Sequence, residues 1–241
     1  MKALIFAAGR GKRMRPLSDI TPKPLLQVWG RPMIEWQILS MKAAGIVDFV
    51  INTAHLSDQF PKVLGDGSRL GVRIQYSVEG TKDSDALETL GGIVKALPLL
   101  TNNGTEQAPF LVASGDIVTD YDYRGLVQRA ELLERSDLLA HLVLVNNPSF
   151  HPEGDMGLID GKIVRLPKMF TYANIGLFSP KMFAGLKVEY RSLFPWLFQW
   201  ADQKKISGEF SEGCWFNVGT PEELNKVNGT PKPLWTEKLD V

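Results

Sequence analysis

A glycine-containing basic segment, AAGRGKRMRPLSDITPKPL, covers residues 7–25 and overlaps the end of the apolar run ALIFAA. It contains five basic residues and one acidic residue. The whole chain is neutral, with Lys+Arg and Asp+Glu at 27 each, so this positive charge is a local feature. Glycine loops that follow a first strand bring backbone N–H groups close to anionic oxygens. The segment therefore predicts a phosphate-binding loop.

Two familiar phosphate-binding patterns do not match this segment. A P-loop needs Ser or Thr after its Gly-Lys pair and a glycine five positions before that pair, where Arg13 and Phe6 stand. A dinucleotide-binding fingerprint needs a third glycine where Met14 stands, which disfavours a redox enzyme. The remaining interpretation is a loop wrapped around a nucleoside triphosphate, whose charge suits several cations.

Strand and helix patterns alternate through the first 150 residues, which is typical of a doubly wound, mostly parallel α/β sheet. The first strand leads into the basic segment and must position it. The expected strands cover residues 2–8, 48–54, 72–78, 109–116 and 138–145, and the expected helices cover 31–45, 87–100 and 124–136.

The pattern changes after residue 150 and predicts a small α+β sub-lobe on the substrate side. Asp-Gly within residues 156–166 indicates a hairpin, followed by a strand at 172–179 and an aromatic-rich helix at 193–205. Residues 213–227 indicate a strand, a turn and a helix. We expect one domain over 1–241, made of a nucleotide-binding core at about 1–150, the sub-lobe at about 151–212, and a return to the sheet with a tail at 213–241.

Composition excludes several classes of protein. A neutral chain has no general attraction for nucleic acid or an anionic membrane, and no apolar run approaches the roughly 20 residues that span a bilayer. The apolar start is short and is followed by charges, not by a cleavage site, so a cytoplasmic protein is expected. The lone Cys214 excludes a disulfide framework and is expected to be buried as a small hydrophobe.

From the first strand onwards, LIFAAGRGKRMRPLS and then TPKPL resemble the signature of the sugar-1-phosphate nucleotidyltransferases. The resemblance continues through VASGD to VGTPEEL and covers most of the chain. It implies a Rossmann-like nucleotidyltransferase fold. It also implies attack of a sugar 1-phosphate oxygen on the α-phosphorus of a nucleoside triphosphate, with pyrophosphate leaving. A phosphate monoester is largely dianionic at neutral pH, so this nucleophile needs no general base.

Segments such as LGDGSRLG and LETLGGIVKALPLL are most similar to the uridylyltransferases of this family that act on N-acetyl-α-muramate 1-phosphate in the recycling of cell-wall sugars. The implied partners are UTP and that sugar phosphate, with Mg²⁺ as cofactor, in a monomer or small homo-oligomer. Two other substrate pairs stay open, dTTP with glucose 1-phosphate and GTP with mannose 1-phosphate. A nucleotide-sugar sensor that binds without turnover also stays open.

The resemblance also implies roles for the basic segment. Arg13 contacts the triphosphate and the leaving pyrophosphate, and Lys23 bridges the α-phosphate and the sugar phosphate. Gly11 and Lys12 hold phosphate oxygens through backbone amides. For Arg10 and Arg15, the other two cations of the segment, a phosphate contact and a solvated position on the loop are equally open.

The implied metal site departs from the family pattern at one position. Asp116, at the end of VASGD, is expected to bind Mg²⁺, which prefers oxygen ligands, and Ser114 lies where the family contacts substrate. The second family ligand is the aspartate of W/F-x-D-V-G-T, whereas this chain has Asn217 in WFNVGT. An amide oxygen can ligate Mg²⁺ but brings no charge. The nearby Asp120 and Asp122 are expected to be turn and helix-cap residues.

The resemblance marks the base and sugar ends less strongly. Glu79 is expected to accept a hydrogen bond from uracil N3–H, and the backbone at Ala8, Gly9 and Gly91 is expected to approach the base. Further substrate contacts are expected from Glu88, which also suits a helix N-terminus, from Asp155, and from Asn174, which also suits the core.

Overall fold

The computed structural model describes residues 1–80 and 86–239. The strands are β1 Lys2–Phe6, β2 Gln27–Val28, β3 Arg31–Pro32, β4 Asp48–Thr53, β5 Arg73–Val78, β6 Phe110–Ser114, β7 Ile117–Thr119, β8 Ala140–Val145, β9 Gly157–Ile159, β10 Lys162–Val164, β11 Thr171–Phe178, β12 Ile206–Phe210 and β13 Trp215–Asn217. The helices are α1 Leu17–Ile20, α2 Met33–Ala43, α3 Gln59–Leu64, α4 Glu88–Leu100, α5 Arg124–Arg135, α6 Trp196–Ala201 and α7 Pro221–Asn228. Within these residues, none of the helices has both the length and the apolar character needed to cross a membrane.

One nine-stranded sheet organises the fold, in the order β5-β4-β1-β6-β11-β8-β12-β10-β9. All of its strands except β11 and β10 run in the same direction. The central strands are continuous apolar runs because both of their faces are covered. The expected α/β architecture with a mostly parallel sheet is confirmed.

Helices cover both faces of this sheet. Ala3 and Ile5 of β1 belong to an apolar cluster that includes residues of α2, α3 and α5. Leu4, between them, belongs to a cluster on the other face that includes residues of α4 and α6. This division follows from the alternation of side chains along a strand. The sheet is therefore doubly wound, as expected.

The segment after residue 150 adds strands to the same sheet. The predicted hairpin is confirmed as β9 and β10, joined by Asp160 and Gly161, whose φ angles of 48° and 71° suit a tight hairpin turn. β11 lies between β6 and β8. β13 pairs with β7 in a separate two-stranded sheet, so the last strand of the chain lies beside the main sheet and not within it.

Two local expectations are wrong. The aromatic helix expected at 193–205 covers only Trp196–Ala201, because Pro195 fits a helix only at its start and Lys204 has a left-handed φ of 58°. Cys214 is exposed, because it lies in an exposed turn that precedes β13.

A third apolar cluster holds the basic segment against the C-terminal part of the chain. Met14 and Trp36 pack in it with Val118 of β7 and Val218, which follows β13. All four side chains are at most 1% exposed. Met14 ends the short 3₁₀ turn Lys12–Met14, so its burial fixes the cationic residues on either side of it.

Replacing Met14 by alanine should destabilise the protein by about 2–5 kcal/mol, because the change leaves a cavity in a fully buried site. Leu17→Ala, nearby and 40% exposed, should change stability by about 0.5 kcal/mol or less. Urea denaturation followed by circular dichroism measures both. Equal midpoints for the two variants would show that Met14 does not anchor the segment.

Candidate active site

A cavity of about 470 Å³ opens where β1, β4, β5 and β6 end. Ligands of open α/β sheets bind at this edge, outside the carboxyl ends of the parallel strands. Residues at or just after the end of each of these strands line the cavity. Of the residues selected from the sequence, the structure brings together here Ala8, Gly9, Arg10, Gly11, Lys12, Lys23, Glu79, Glu88, Ser114 and Asp116.

The basic segment folds back on itself at Gly11. This residue has a left-handed φ of 61°, which favours glycine. Its carbonyl accepts hydrogen bonds from Met14 N and Ser18 Oγ, both at 2.8 Å. A methyl group at Gly11 would lie 3.2 Å from Lys23 Cβ, so the turn is packed closely against that residue. The fold thereby places Lys12 and Lys23 at the same cavity.

A buried ion pair joins the basic segment to the end of β6. Lys23 Nζ contacts Asp116 Oδ2, and the two side chains are 14% and 15% exposed. Ser114 Oγ donates to the other carboxylate oxygen, Asp116 Oδ1, at 2.6 Å. Burial raises the pKa of Asp116, but the charge of Lys23 and hydrogen bonds from Lys23 and Ser114 outweigh it and hold the pKa below its ordinary value. Asp116 is therefore a carboxylate at neutral pH.

Asn217 lies at the end of β13, directly opposite Ile117 of β7. The next residue, Val218, donates its N–H to the Asp116 carbonyl at 3.1 Å, so this strand runs beside Asp116. Asn217 Oδ1 is buried and has no hydrogen-bond partner in the part of the chain that the structure describes. Asn217 itself does not line the cavity. A buried amide oxygen without a partner suits a cation ligand, so a role of Asn217 in metal binding stays a prediction.

Arg13 does not line the cavity but is exposed beside the turn that precedes α7. A methyl group at Gly219 would lie 3.2 Å from Arg13 Nη2, so the glycine provides the space for the guanidinium. Thr220 and Glu223 form a capping box at the start of α7, in which Glu223 Oε2 also accepts the Gly219 N–H at 2.7 Å. The turn beside Arg13 is thus fixed by its own helix.

Glu79, which follows β5 and lines the cavity, links three segments of the chain. Its Oε1 accepts a hydrogen bond from Asn52 Nδ2 at 2.5 Å, and its Oε2 accepts one from Leu87 N at 2.8 Å. Asn52 Oδ1 in turn accepts the Ala7 N–H at 2.9 Å. Burial raises the pKa of Glu79, while the hydrogen bonds from Leu87 and Asn52 and the nearby Lys95 oppose that rise. The carboxyl group is held in one orientation.

Two adjacent glycines of α4 serve different contacts. A methyl group at Gly92 would lie 2.6 Å from Glu79 Oε1 and 2.7 Å from Asn52 Nδ2, so only glycine allows this approach. Gly91 does not line the cavity; its N–H donates to the Arg191 carbonyl at 3.2 Å. The expected approach of Gly91 to the base stays a prediction.

Glu88 lies at the cavity rim with an uncommon left-handed φ of 60°. Its Oε1 accepts a hydrogen bond from Tyr190 OH at 3.3 Å. Tyr190 is 69% exposed and also lines the cavity. The carboxylate of Glu88 raises the pKa of Tyr190, because it opposes a second negative charge on the phenol.

The two remaining sugar-side residues lie outside the lining of this cavity. Asp155 accepts the Tyr172 N–H at 2.9 Å and lies 3.0 Å from His151 Nε2, so it joins its loop to β11. Asn174 has a left-handed φ of 55° where the pairing of β11 with β8 changes register. Their contacts with the sugar stay predictions.

The two aspartates after β7 have local structural roles, as expected. Asp122 Oδ1 accepts the Arg124 N–H at 3.0 Å, and the two side chains form an ion pair at the start of α5. Partial loss of water contact raises the pKa of the Cys214 thiol, and Asp120, which packs against Gly213, raises it further.

Sequence reasoning missed several residues of the cavity. Asn52 is the penultimate residue of the buried strand β4, and a buried amide at that position is a signal that could have identified it. The other missed lining residues include His55, Thr89 and Tyr190, which no local pattern distinguishes from ordinary loop and helix residues.

Comparisons with known proteins identify the family of this chain. The nucleotidyl transferase family matches residues 2–230. N-acetylmuramate alpha-1-phosphate uridylyltransferase from Neisseria meningitidis is 44% identical over 233 residues, which cover 94% of this chain and 96% of that protein. Mannose-1-phosphate guanylyltransferase catalytic subunit beta from Danio rerio is 28% identical over 93% of this chain, which spans 62% of that protein.

Solved structures share the fold. A Bacillus anthracis structure, described as a candidate glucose-1-phosphate thymidylyltransferase, has a TM-score of 0.77 at 24% identity and covers 98% of this chain and 99% of its own. The inositol-1-phosphate CTP transferase from T. maritima has a TM-score of 0.70 at 17% identity and covers 96% of this chain and 98% of its own. The family match over residues 2–230 and the 44% identity show that the chain belongs to the nucleotidyl transferase family of enzymes.

Proposed function

We propose that this protein transfers the uridylyl group of UTP to N-acetyl-α-muramate 1-phosphate, with release of pyrophosphate, in the cytoplasmic recycling of cell-wall sugars. The proposal is carried by the 44% identity, over 94% of this chain, to the Neisseria meningitidis uridylyltransferase named for that sugar phosphate. The cavity adds chemical support, because lysines and glycine N–H groups line it beside a carboxylate.

The proposed reaction depends on cations and positioning. The attacking sugar phosphate is already dianionic, so no base has to remove a proton. Negative charge accumulates on the phosphoryl oxygens, and fixed donors stabilise it. Lys23 is proposed to contact the α-phosphate and Arg13 the leaving pyrophosphate. The backbone N–H groups of Gly11 and Lys12 are proposed to hold the other phosphate oxygens.

Mg²⁺ is the proposed cofactor, with Asp116 and Asn217 as its protein ligands. Asp116 supplies a carboxylate whose pKa is held low, and Asn217 supplies a buried oxygen without a hydrogen-bond partner in the described residues. Mg²⁺ is commonly bound by one or two carboxylates together with substrate phosphates. When bound, the ion would add positive charge beside the triphosphate.

The nucleoside and sugar contacts complete the proposal. Each carboxylate oxygen of Glu79 accepts one protein hydrogen bond and keeps a further lone pair, which suits an N–H of the base. The backbone of Ala8 and Gly9 is proposed to lie along the base. Sugar contacts are proposed for Ser114, Glu88, Asp155 and Asn174.

Pyrophosphate release should be greatest with UTP and N-acetyl-α-muramate 1-phosphate in the presence of Mg²⁺. A coupled assay should pair UTP, dTTP and GTP each with the muramate, glucose and mannose esters. Release with another pair, such as GTP with mannose 1-phosphate, would replace the proposed substrates and keep the chemistry. Nucleotide binding without any release would contradict the proposed function and favour a sensor.

Arg13→Ala should lower kcat/KM by about 10²–10³, because it removes a donor to developing phosphate charge. Arg15→Ala is the matched control, since Arg15 is exposed, forms a surface ion pair with Asp19 at 3.0 Å and does not line the cavity. It should leave kcat/KM unchanged. Equal losses in both variants would indicate a general effect of loop charge, not a specific contact of Arg13.

A further inference from the structure

We propose that Lys23 is the counter-ion of Asp116 when no ligand is bound. A divalent metal then binds Asp116 only together with a polyphosphate that forms an ion pair with Lys23. The identity of that polyphosphate as a nucleoside triphosphate rests on the proposed function. The competition between Lys23 and the metal for Asp116 is independent of the proposed function. The inference therefore concerns the order in which the site is filled.

Both carboxylate oxygens of Asp116 have protein partners. Lys23 Nζ contacts Oδ2, and Ser114 Oγ donates to Oδ1 at 2.6 Å. Because the two charged side chains are only 14% and 15% exposed, each compensates a charge that water reaches poorly. A bare metal ion that approaches Asp116 must displace an ammonium group from this pair, not merely water.

The second oxygen donor cannot offset that competition. Asn217 contributes a neutral amide oxygen, which is buried and has no hydrogen-bond partner in the described residues. Within residues 1–80 and 86–239, no group of three or more His, Cys, Asp or Glu residues is arranged to hold a metal. With Lys23 in place, Asp116 and Lys23 together carry no net charge. A divalent ion added alone would leave two uncompensated positive charges at a mostly buried site.

A polyphosphate removes both obstacles. Its oxygens offer Lys23 an alternative partner and supply the negative charge and the ligands that Asn217 does not. The metal and the polyphosphate therefore bind cooperatively, and by linkage each raises the affinity of the other by the same factor. Because Asn217 carries no charge, the site depends on the polyphosphate for this negative charge.

The local backbone allows Lys23 to exchange partners through its side chain alone. Lys23 begins a short 3₁₀ turn, Lys23–Leu25. Leu26 N donates to the Lys23 carbonyl at 3.1 Å, and Leu25 N donates to the Pro22 carbonyl at 2.8 Å. The turn is thus held by its own hydrogen bonds, while the lysine ammonium moves on a flexible four-carbon stem.

Mn²⁺ binding to the full chain without nucleotide tests the proposal, with the free Mn²⁺ signal measured by electron paramagnetic resonance. Wild-type protein should bind Mn²⁺ weakly, whereas Lys23→Met should bind it roughly tenfold or more tightly, because Asp116 is then unpaired. Lys12→Met is the matched control. It removes a cavity cation of the same segment that forms no ion pair within the described residues, so its effect should be much smaller.

Two further variants locate the effect. Asp116→Asn in the Lys23→Met background should abolish the gain. Asn217→Asp, with Lys23 retained, should also increase Mn²⁺ affinity, because it adds a negative charge on the strand that runs beside Asp116. This variant keeps the proposal testable if Lys23→Met does not fold, which a thermal melt by circular dichroism establishes.

Equal Mn²⁺ affinities for wild type and folded Lys23→Met would overturn the proposal, as would an equal gain in Lys12→Met. If Lys23→Met does not fold, no gain in Asn217→Asp would overturn it. These measurements use no nucleotide and no sugar phosphate. A failure of the proposed substrates in the pyrophosphate assay would therefore leave the Mn²⁺ result intact, and the two proposals fail separately.

Discussion

The cavity depends on the buried ion pair between Lys23 and Asp116. This pair connects the basic segment that follows β1 to the end of the neighbouring strand β6. Because the two side chains are only 14% and 15% exposed, removing one partner leaves a poorly solvated charge on the other and lowers stability. Within the described residues, Asp116 pairs with Lys23 and Asp19 pairs with Arg15, whereas Lys12 and Arg13 form no ion pair. Their charge stays available to an anionic ligand.

The rest of the fold keeps these groups in place. Parallel pairing of β4, β1 and β6 brings Asn52, the basic segment and Ser114 to one edge of the sheet. The third apolar cluster adds a connection that the main sheet does not supply, because it packs Met14 against Val218. Through it, the turn before α7 lies beside Arg13 although the two are far apart in sequence. The basic segment is thus held at one end by the sheet and at the other by the C-terminal part of the chain.

Much of this arrangement can be predicted from local patterns. The apolar run of β1 and the glycine-containing basic segment predict a strand followed by an anion-binding loop, and Asp160-Gly161 predicts a hairpin. The insertion of β11 between β6 and β8 cannot be predicted in this way, because pairing of distant segments leaves no local periodicity. The same holds for the contact of Tyr190 with Glu88. The exposure of Cys214 was misjudged because a lone cysteine is usually buried, and its turn carries no signal to the contrary.

At the Glu79 end of the cavity, one side chain is both fixed by the protein and able to accept a further hydrogen bond. Asn52 directs its amide oxygen and one amide proton to protein partners, so it fixes Glu79. Glu79 keeps acceptor capacity and no donor, because the carboxylate has lone pairs beyond those used by Asn52 and Leu87. Uracil, thymine and guanine each present an N–H to such an acceptor. Glu79 alone therefore does not discriminate among these bases. Gly92 allows α4 to approach closely, because a side chain there would meet the Glu79 carboxylate and Asn52, so the position of this acceptor depends on a glycine behind it.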